Sequence, residues 1–172
     1  MKILVTAFKP FNKQLINHSS EVLKYIENVD KVILDVVYDD CYIKLSNMYN
    51  LNDYDLIIAL GEARMRNILT VEKYAKNIAS CSLPDNNNVL LKDHQIIENE
   101  QEILSTNLNL DLIKDIASIS NDAGKFVCNN LYFHLLHNYP NKSLFIHIPE
   151  CKGLDDYKSH ANQIENIIKY LI

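Results

Sequence analysis

The residues best suited to chemistry in this chain fall in two short stretches. One runs from Asn121 to Asn130, where a polar turn containing Gly124 leads into an amphipathic helical pattern with Cys128 at its start. The other is Phe145-Ile146-His147-Ile148-Pro149, where a β-rich run ends on a histidine nineteen residues after Cys128. A cysteine at a helix start meets free backbone N–H groups and the positive end of the helix dipole, and both favour thiolate over thiol. A histidine at the end of a neighbouring strand is a natural general base for it. Each residue has a plainer reading, because free cysteine packs well in a helix face and a strand-end histidine can simply be hydrogen-bonded. The pair is more specific than either member. A third group is needed to hold the imidazole in one tautomer, and Glu72, in Thr70-Val71-Glu72-Lys73, is the best candidate. A surface Glu72 paired with Lys73 is the alternative.

These residues need a scaffold that brings them together. Short apolar runs at 2–6, 31–37, 55–60, 116–120 and 143–147 read as strands, with a weaker candidate at 67–71 continued through 75–78. Helical patterns fall at 17–27, 42–49, 110–115, 127–137 and 157–171, and 89–105 reads as an irregular hairpin. Such alternation predicts an α/β fold, a three-layer α/β/α sandwich around a mostly parallel sheet. Ligands in such sheets sit at the carboxyl ends of strands, where Gly61, the 121–124 turn and His147 would converge.

With no linker or repeat, residues 1–172 read as a single domain, a length that supports one substantial core. The net charge of −5 with no basic face argues against a nucleic-acid partner. No apolar run reaches the ~20 residues of a membrane span, and the N-terminus lacks the form of a signal peptide, so a cytoplasmic location is expected. Cys41, Cys81, Cys128 and Cys151 form no CxxC pair, and read as free thiols rather than a zinc site or disulfide frame. His134 and His137 lie three apart on a helix, but no carboxylate spacing completes a metal site with His147, so no metal is expected.

Five segments then resemble the pyroglutamyl peptidase I family, also called pyrrolidone-carboxylate peptidases, and they occur in the family's order. Residues 61–73, GEARMRNILTVEK, are similar to its glutamate segment, which commonly reads like GQAGGRxxITxER. Pro84-Asp85-Asn86 resembles its PDN turn, Asp122 to Asn129 its cysteine segment, residues 145–149 its histidine segment, and Thr6 to Phe11 its opening TGFxPFG. The resemblance implies a cofactor-free cysteine peptidase that removes N-terminal pyroglutamyl residues through a triad of Cys128, His147 and Glu72. It implies a peptide or small amide substrate and a homo-oligomer, dimer or tetramer. Phe8 and Phe11 would clamp the flat lactam, with Leu83, Phe126 and Val127 as further apolar walls. On composition alone, ordinary core packing is the better reading of these five.

The departures from the pattern fall on recognition. The family's glutamine that contacts the pyroglutamyl group is Glu62, and its arginine in the oxyanion region, where Cys128 also sits, is Ser82. Two glycines are replaced by Arg64 and Met65. A buried Glu62 calls for a cation or a shifted pKa, and Arg64 and Arg66 are nearby in sequence. A re-specialised or catalytically silent relative, binding a different capped peptide or small metabolite, is the alternative reading.

Overall fold

The computed structural model describes all residues, 1–172. Six strands form the central sheet in the order β2-β1-β3-β8-β4-β7. Their ranges are β1 Ile3–Phe8, β2 Asp30–Leu34, β3 Leu56–Glu62, β4 Thr70–Glu72, β7 Ser118–Ser120 and β8 Ser143–Ile148. The remaining two, β5 Tyr74–Lys76 and β6 Ile103–Ser105, make a separate antiparallel pair. In the main sheet only the β4–β8 pairing is antiparallel. β4 is reached from β3 by a short loop, too short for the helical crossover that a parallel return would need.

β1, β3 and β8 are buried along almost their whole length, as expected of central strands covered on both faces. Helices α1 (His18–Leu23) and α4 (Leu154–Leu171) cover one face, where Val22, Leu23, Ala161, Ile164 and Ile167 pack on Val5, Ile58 and Ile146. Helices α2 (Asp40–Met48) and α3 (Val127–Asn138) cover the other, where Leu45, Leu131, Tyr132 and Leu135 meet Leu4, Ile57 and Phe145. The architecture is therefore the expected α/β sandwich with a mostly parallel sheet. No helix is long and apolar enough to cross a membrane.

Three expected elements differ. The helix expected over 17–27 closes at Leu23, and Asn28 takes a left-handed φ of 57° before β2. The hairpin expected over 89–105 yields only β6 and an isolated bridge between Ala79 and His94. Asn77 organises that stretch in place of a ladder: its Oδ1 accepts from the N–H groups of Ile96 and Ile97, and its Nδ2 donates to the Ile97 carbonyl. The helix expected over 110–115 is a single 3-10 turn, Leu110–Leu112.

Candidate active site

Strand register sets the centre of the site. In the β3–β8 ladder Gly61 lies beside His147, and in the β4–β8 ladder Thr70 lies beside His147 and Glu72 beside Phe145. His147 is thus enclosed between two strands at the carboxyl end of β8. Its Nδ1 donates to Glu72 Oε1 at 2.8 Å. A carboxylate can only accept, so this bond leaves Nε2 as the basic nitrogen. Glu72 is wholly buried, which excludes the surface alternative paired with Lys73. Its backbone carbonyl accepts from Tyr132 Oη at 2.9 Å.

Arg66 supplies the charge that buried Glu72 requires. Its Nη1 donates to Glu72 Oε1 and to Thr70 Oγ1, and its Nη2 donates to the Asp122 carbonyl at 2.7 Å. One side chain therefore joins the loop after β3, strand β4 and the loop that carries the cysteine. Glu72 Oε2 has no hydrogen-bond partner, so every polar contact of that carboxylate is concentrated on the oxygen facing His147.

The cysteine loop is built for close approach. Gly124 has a φ of 80°, a conformation that L side chains rarely adopt, and its N–H donates to Asp122 Oδ1. Lys76 Nζ holds the same carboxylate oxygen at 2.9 Å. α3 then begins at Val127, with Cys128 in its first turn. The next two residues anchor the helix. Asn129 satisfies the Lys76 N–H and the carbonyls of Lys76 and Ile78, while Asn130 exchanges hydrogen bonds with Asp39. Gly61 makes room for the sulfur: a Cβ there would lie 2.7 Å from Cys128 Sγ and 2.8 Å from the Phe145 ring.

Cys128, His147, Phe8, Phe11, Glu62, Phe126 and Val127 line one cavity of about 120 Å³, with Asn17, Val36 and residues 123–125 completing its wall. Phe11 and Phe126 sit with ring centroids 5.7 Å apart. Leu83 and Ser82 are not in that wall. Both are exposed, Leu83 at 37%, although the turn that follows them is tied to the chain after β2. Asp85 Oδ2 accepts from the Tyr38 N–H, and Asn86 donates its N–H to the Val36 carbonyl. Neither residue therefore lines the cavity in which the resemblance puts it. A shallower cleft of about 490 Å³ shares Lys125 with the cavity but is lined by no cysteine or histidine.

The electrostatics differ from a helix-activated thiolate. Burial pushes the Cys128 thiol up to about 12, with Glu72 and Glu62 adding to the rise, and the helix-start N–H offsets only part of it. Burial also lowers His147 below its usual value, against the opposing pull of Glu72. No hydrogen bond joins Sγ to the ring. Both shifts favour the neutral thiol and neutral imidazole over a thiolate–imidazolium pair, and desolvation opposes the helix dipole.

Glu62 is 2% exposed at its side chain, yet it is not isolated. Its Oε1 accepts from Arg64 Nε at 2.5 Å, and its Oε2 accepts from the His18 N–H at 2.6 Å. The two helix histidines point elsewhere: His134 Nε2 contacts Asp39 and its ring stacks on Tyr42, while His137 pairs with Glu100. Sequence reasoning missed the roles of Arg66, Asn129 and Asn130. Consecutive amides on the buried side of a helix were the available signal.

Similarity to known proteins agrees with this geometry. The sequence pattern of the pyroglutamyl peptidase family matches residues 1–154. A pyrrolidone-carboxylate peptidase of Thermosipho africanus is 31% identical over 192 aligned positions, covering 100% of this chain and 94% of that protein. One of Enterococcus faecalis is 33% identical over 167 positions, covering 87% of this chain and 78% of its own length. The solved pyrrolidone carboxyl peptidase of Thermococcus litoralis superposes with a TM-score of 0.87 at 26% identity, over 99% of this chain and 92% of that one. The chain belongs to the pyroglutamyl peptidase family.

Proposed function

We propose that this protein is a cysteine peptidase that removes N-terminal pyroglutamyl residues from peptides, with Cys128 as nucleophile, His147 as acid–base and Glu72 as its orienting carboxylate. One observation carries the reading: Cys128 and the Glu72-bound His147 open onto one small aromatic-walled cavity. A volume of about 120 Å³ suits a five-membered lactam acyl group and leaves the rest of the peptide outside. Phe8, Phe11 and Phe126 offer flat faces to the ring, Val127 closes the apolar wall, and Glu62 can accept the lactam N–H.

The reaction follows from the protonation states. His147 Nε2 takes the thiol proton as Sγ bonds to the acyl carbon, so thiolate character develops only during attack. The Glu72 carboxylate stabilises the imidazolium that forms. First-turn N–H groups of α3 lack intrahelical acceptors and can meet the oxyanion, a role that passes to them because Ser82 faces solvent. The imidazolium then protonates the leaving amine as the C–N bond breaks. His147 next activates water against the thioester, which releases pyroglutamate and restores the thiol. The homo-oligomer implied by the resemblance is part of this proposal and is read by light scattering.

A second reading, a relative that binds a capped ligand without cleaving it, draws on the absent Sγ–imidazole hydrogen bond and the raised thiol. Hydrolysis of a pyroglutamyl-coumarin amide separates the two. The enzyme reading expects turnover that Cys128→Ala and thiol alkylation both abolish. Saturable pyroglutamate binding without turnover would establish the second reading instead.

A further inference from the structure

Glu62 ends β3 with its side chain almost wholly buried in the cavity wall beside Cys128. A carboxylate in that position needs a counter-charge or a full set of donors. Two neighbouring side chains are already engaged elsewhere. Arg66 is committed to Glu72, Thr70 and the Asp122 carbonyl, and the His18 ring is turned to Tyr157 Oη at 3.2 Å. Arg64 is the sole side chain that forms a salt bridge to Glu62. The loop backbone sets it there, since the Ala63 N–H donates to the Ile148 carbonyl and the Arg66 N–H returns to the Ala63 carbonyl. The guanidinium is 38% exposed at its side chain and makes no other hydrogen bond to the protein.

With Oε1 held by Arg64 and Oε2 by the His18 N–H, the carboxylate cannot rotate. Its remaining acceptor capacity is aimed by the fold rather than by the ligand. We propose that Arg64 is a positioning residue for acyl recognition: by clamping Glu62 it presents a fixed acceptor to the acyl group beside Cys128, and so selects acyl groups that bring an N–H donor. This rests on the cavity being the acyl pocket of the reading above. Glu62→Gln alone should not improve turnover, because the single amide oxygen would be shared among Arg64, the His18 N–H and the ligand.

The test compares two coumarin amides, pyroglutamyl and its carbocyclic analogue in which CH₂ replaces the lactam N–H, and reads kcat and KM separately. The wild-type protein should prefer the pyroglutamyl amide. Arg64→Ala should cut that preference about tenfold, mainly through KM, as expected when a charge-assisted acceptor loses its geometry. Arg64→Lys should retain most of the preference. The double variant Glu62→Gln/Arg64→Ala should recover part of it, since a neutral amide needs no counter-charge. A loop that merely depends on Arg64 for its shape would leave the double variant no better than Arg64→Ala. That result overturns the proposal, as does a preference in Arg64→Ala within twofold of wild type. Wild-type protein that cleaves neither amide overturns the peptidase reading and this inference with it.

Discussion

The corner formed by His147 and Glu72, with Arg66 and Cys128 against it, and the outer residues of the rim, Glu62, Arg64, Ser82 and Leu83, are built in different ways. The His147–Glu72 pair of the corner comes from strand register, and the loop after β3 and the start of α3 bring Arg66 and Cys128 to it. Gly61, His147 and Thr70 are neighbours across β3, β8 and β4, and Glu72 is bonded from two sides at once. The rim is built mostly from loops: Glu62 is the last residue of β3, but its partner Arg64 lies in the segment after that strand, and Ser82 and Leu83 lie in a turn that points to solvent. A sheet can hold a proton-transfer pair to a fraction of an ångström, because moving one member means shifting a ladder. A loop can exchange a residue and its partner together, as the Glu62–Arg64 pair illustrates. If this contrast is right, changes in the corner should cost far more than changes in the rim, and should cost kcat rather than KM.

The largest effect is expected at Cys128 and His147. Cys128→Ala or His147→Ala should lower kcat by at least about 10³-fold with the fold intact by circular dichroism. Glu72→Ala should combine two losses. Turnover should fall about 10²–10³-fold as the imidazole loses its acceptor, and stability should fall by about 3–5 kcal/mol in urea unfolding, because Arg66 is left unpaired. Gly61→Ala is the sharpest test of the register argument, since it adds one carbon 2.7 Å from Sγ. It should cost about 1–3 kcal/mol and displace the nucleophile, so that kcat falls while KM changes little.

A smaller effect is expected in the pH profile. His147 lies below its usual value of 6.5 and Cys128 is pushed up to about 12. The form with neutral imidazole and thiol is therefore favoured over a widened range, extended to lower pH at His147 and to higher pH at Cys128. kcat/KM should fall only on the acid side, as His147 gains a proton. Arg66 helps to depress His147, so Arg66→Met should move the acid limb toward neutral pH. A bell centred on neutrality would mean a preformed thiolate–imidazolium pair instead. The smallest effect is expected at the rim: Leu83→Ala should leave kcat/KM within about twofold.

Much of the corner was legible in the sequence because it follows periodicity. Strand ends at Gly61 and His147, and a helix start at Cys128, are local patterns, and the family resemblance pointed to Glu72. What the sequence could not show was competition between local and collective effects. The helix-start argument for an activated Cys128 holds locally, but burial against Phe145 and the sheet outweighs it. Arg66 and Arg64 were visible as nearby cations, yet which carboxylate each serves depends on the path of the loop between β3 and β4, residues 63–69. The resemblance puts Leu83 and Ser82 in the pocket, but both face solvent outside the cavity lining, and no local pattern in the sequence signals that.

The central claim is that Cys128 attacks the acyl carbon of a substrate seated in the aromatic cavity. It is tested most directly by acid-quenching the protein during turnover of a pyroglutamyl amide and locating the acyl adduct by mass spectrometry. The account predicts a pyroglutamyl thioester on Cys128 and on none of Cys41, Cys81 or Cys151. It also predicts that His147→Ala fails to accumulate the adduct on the same timescale. A thioester on another cysteine, or turnover that survives in Cys128→Ala, would contradict it.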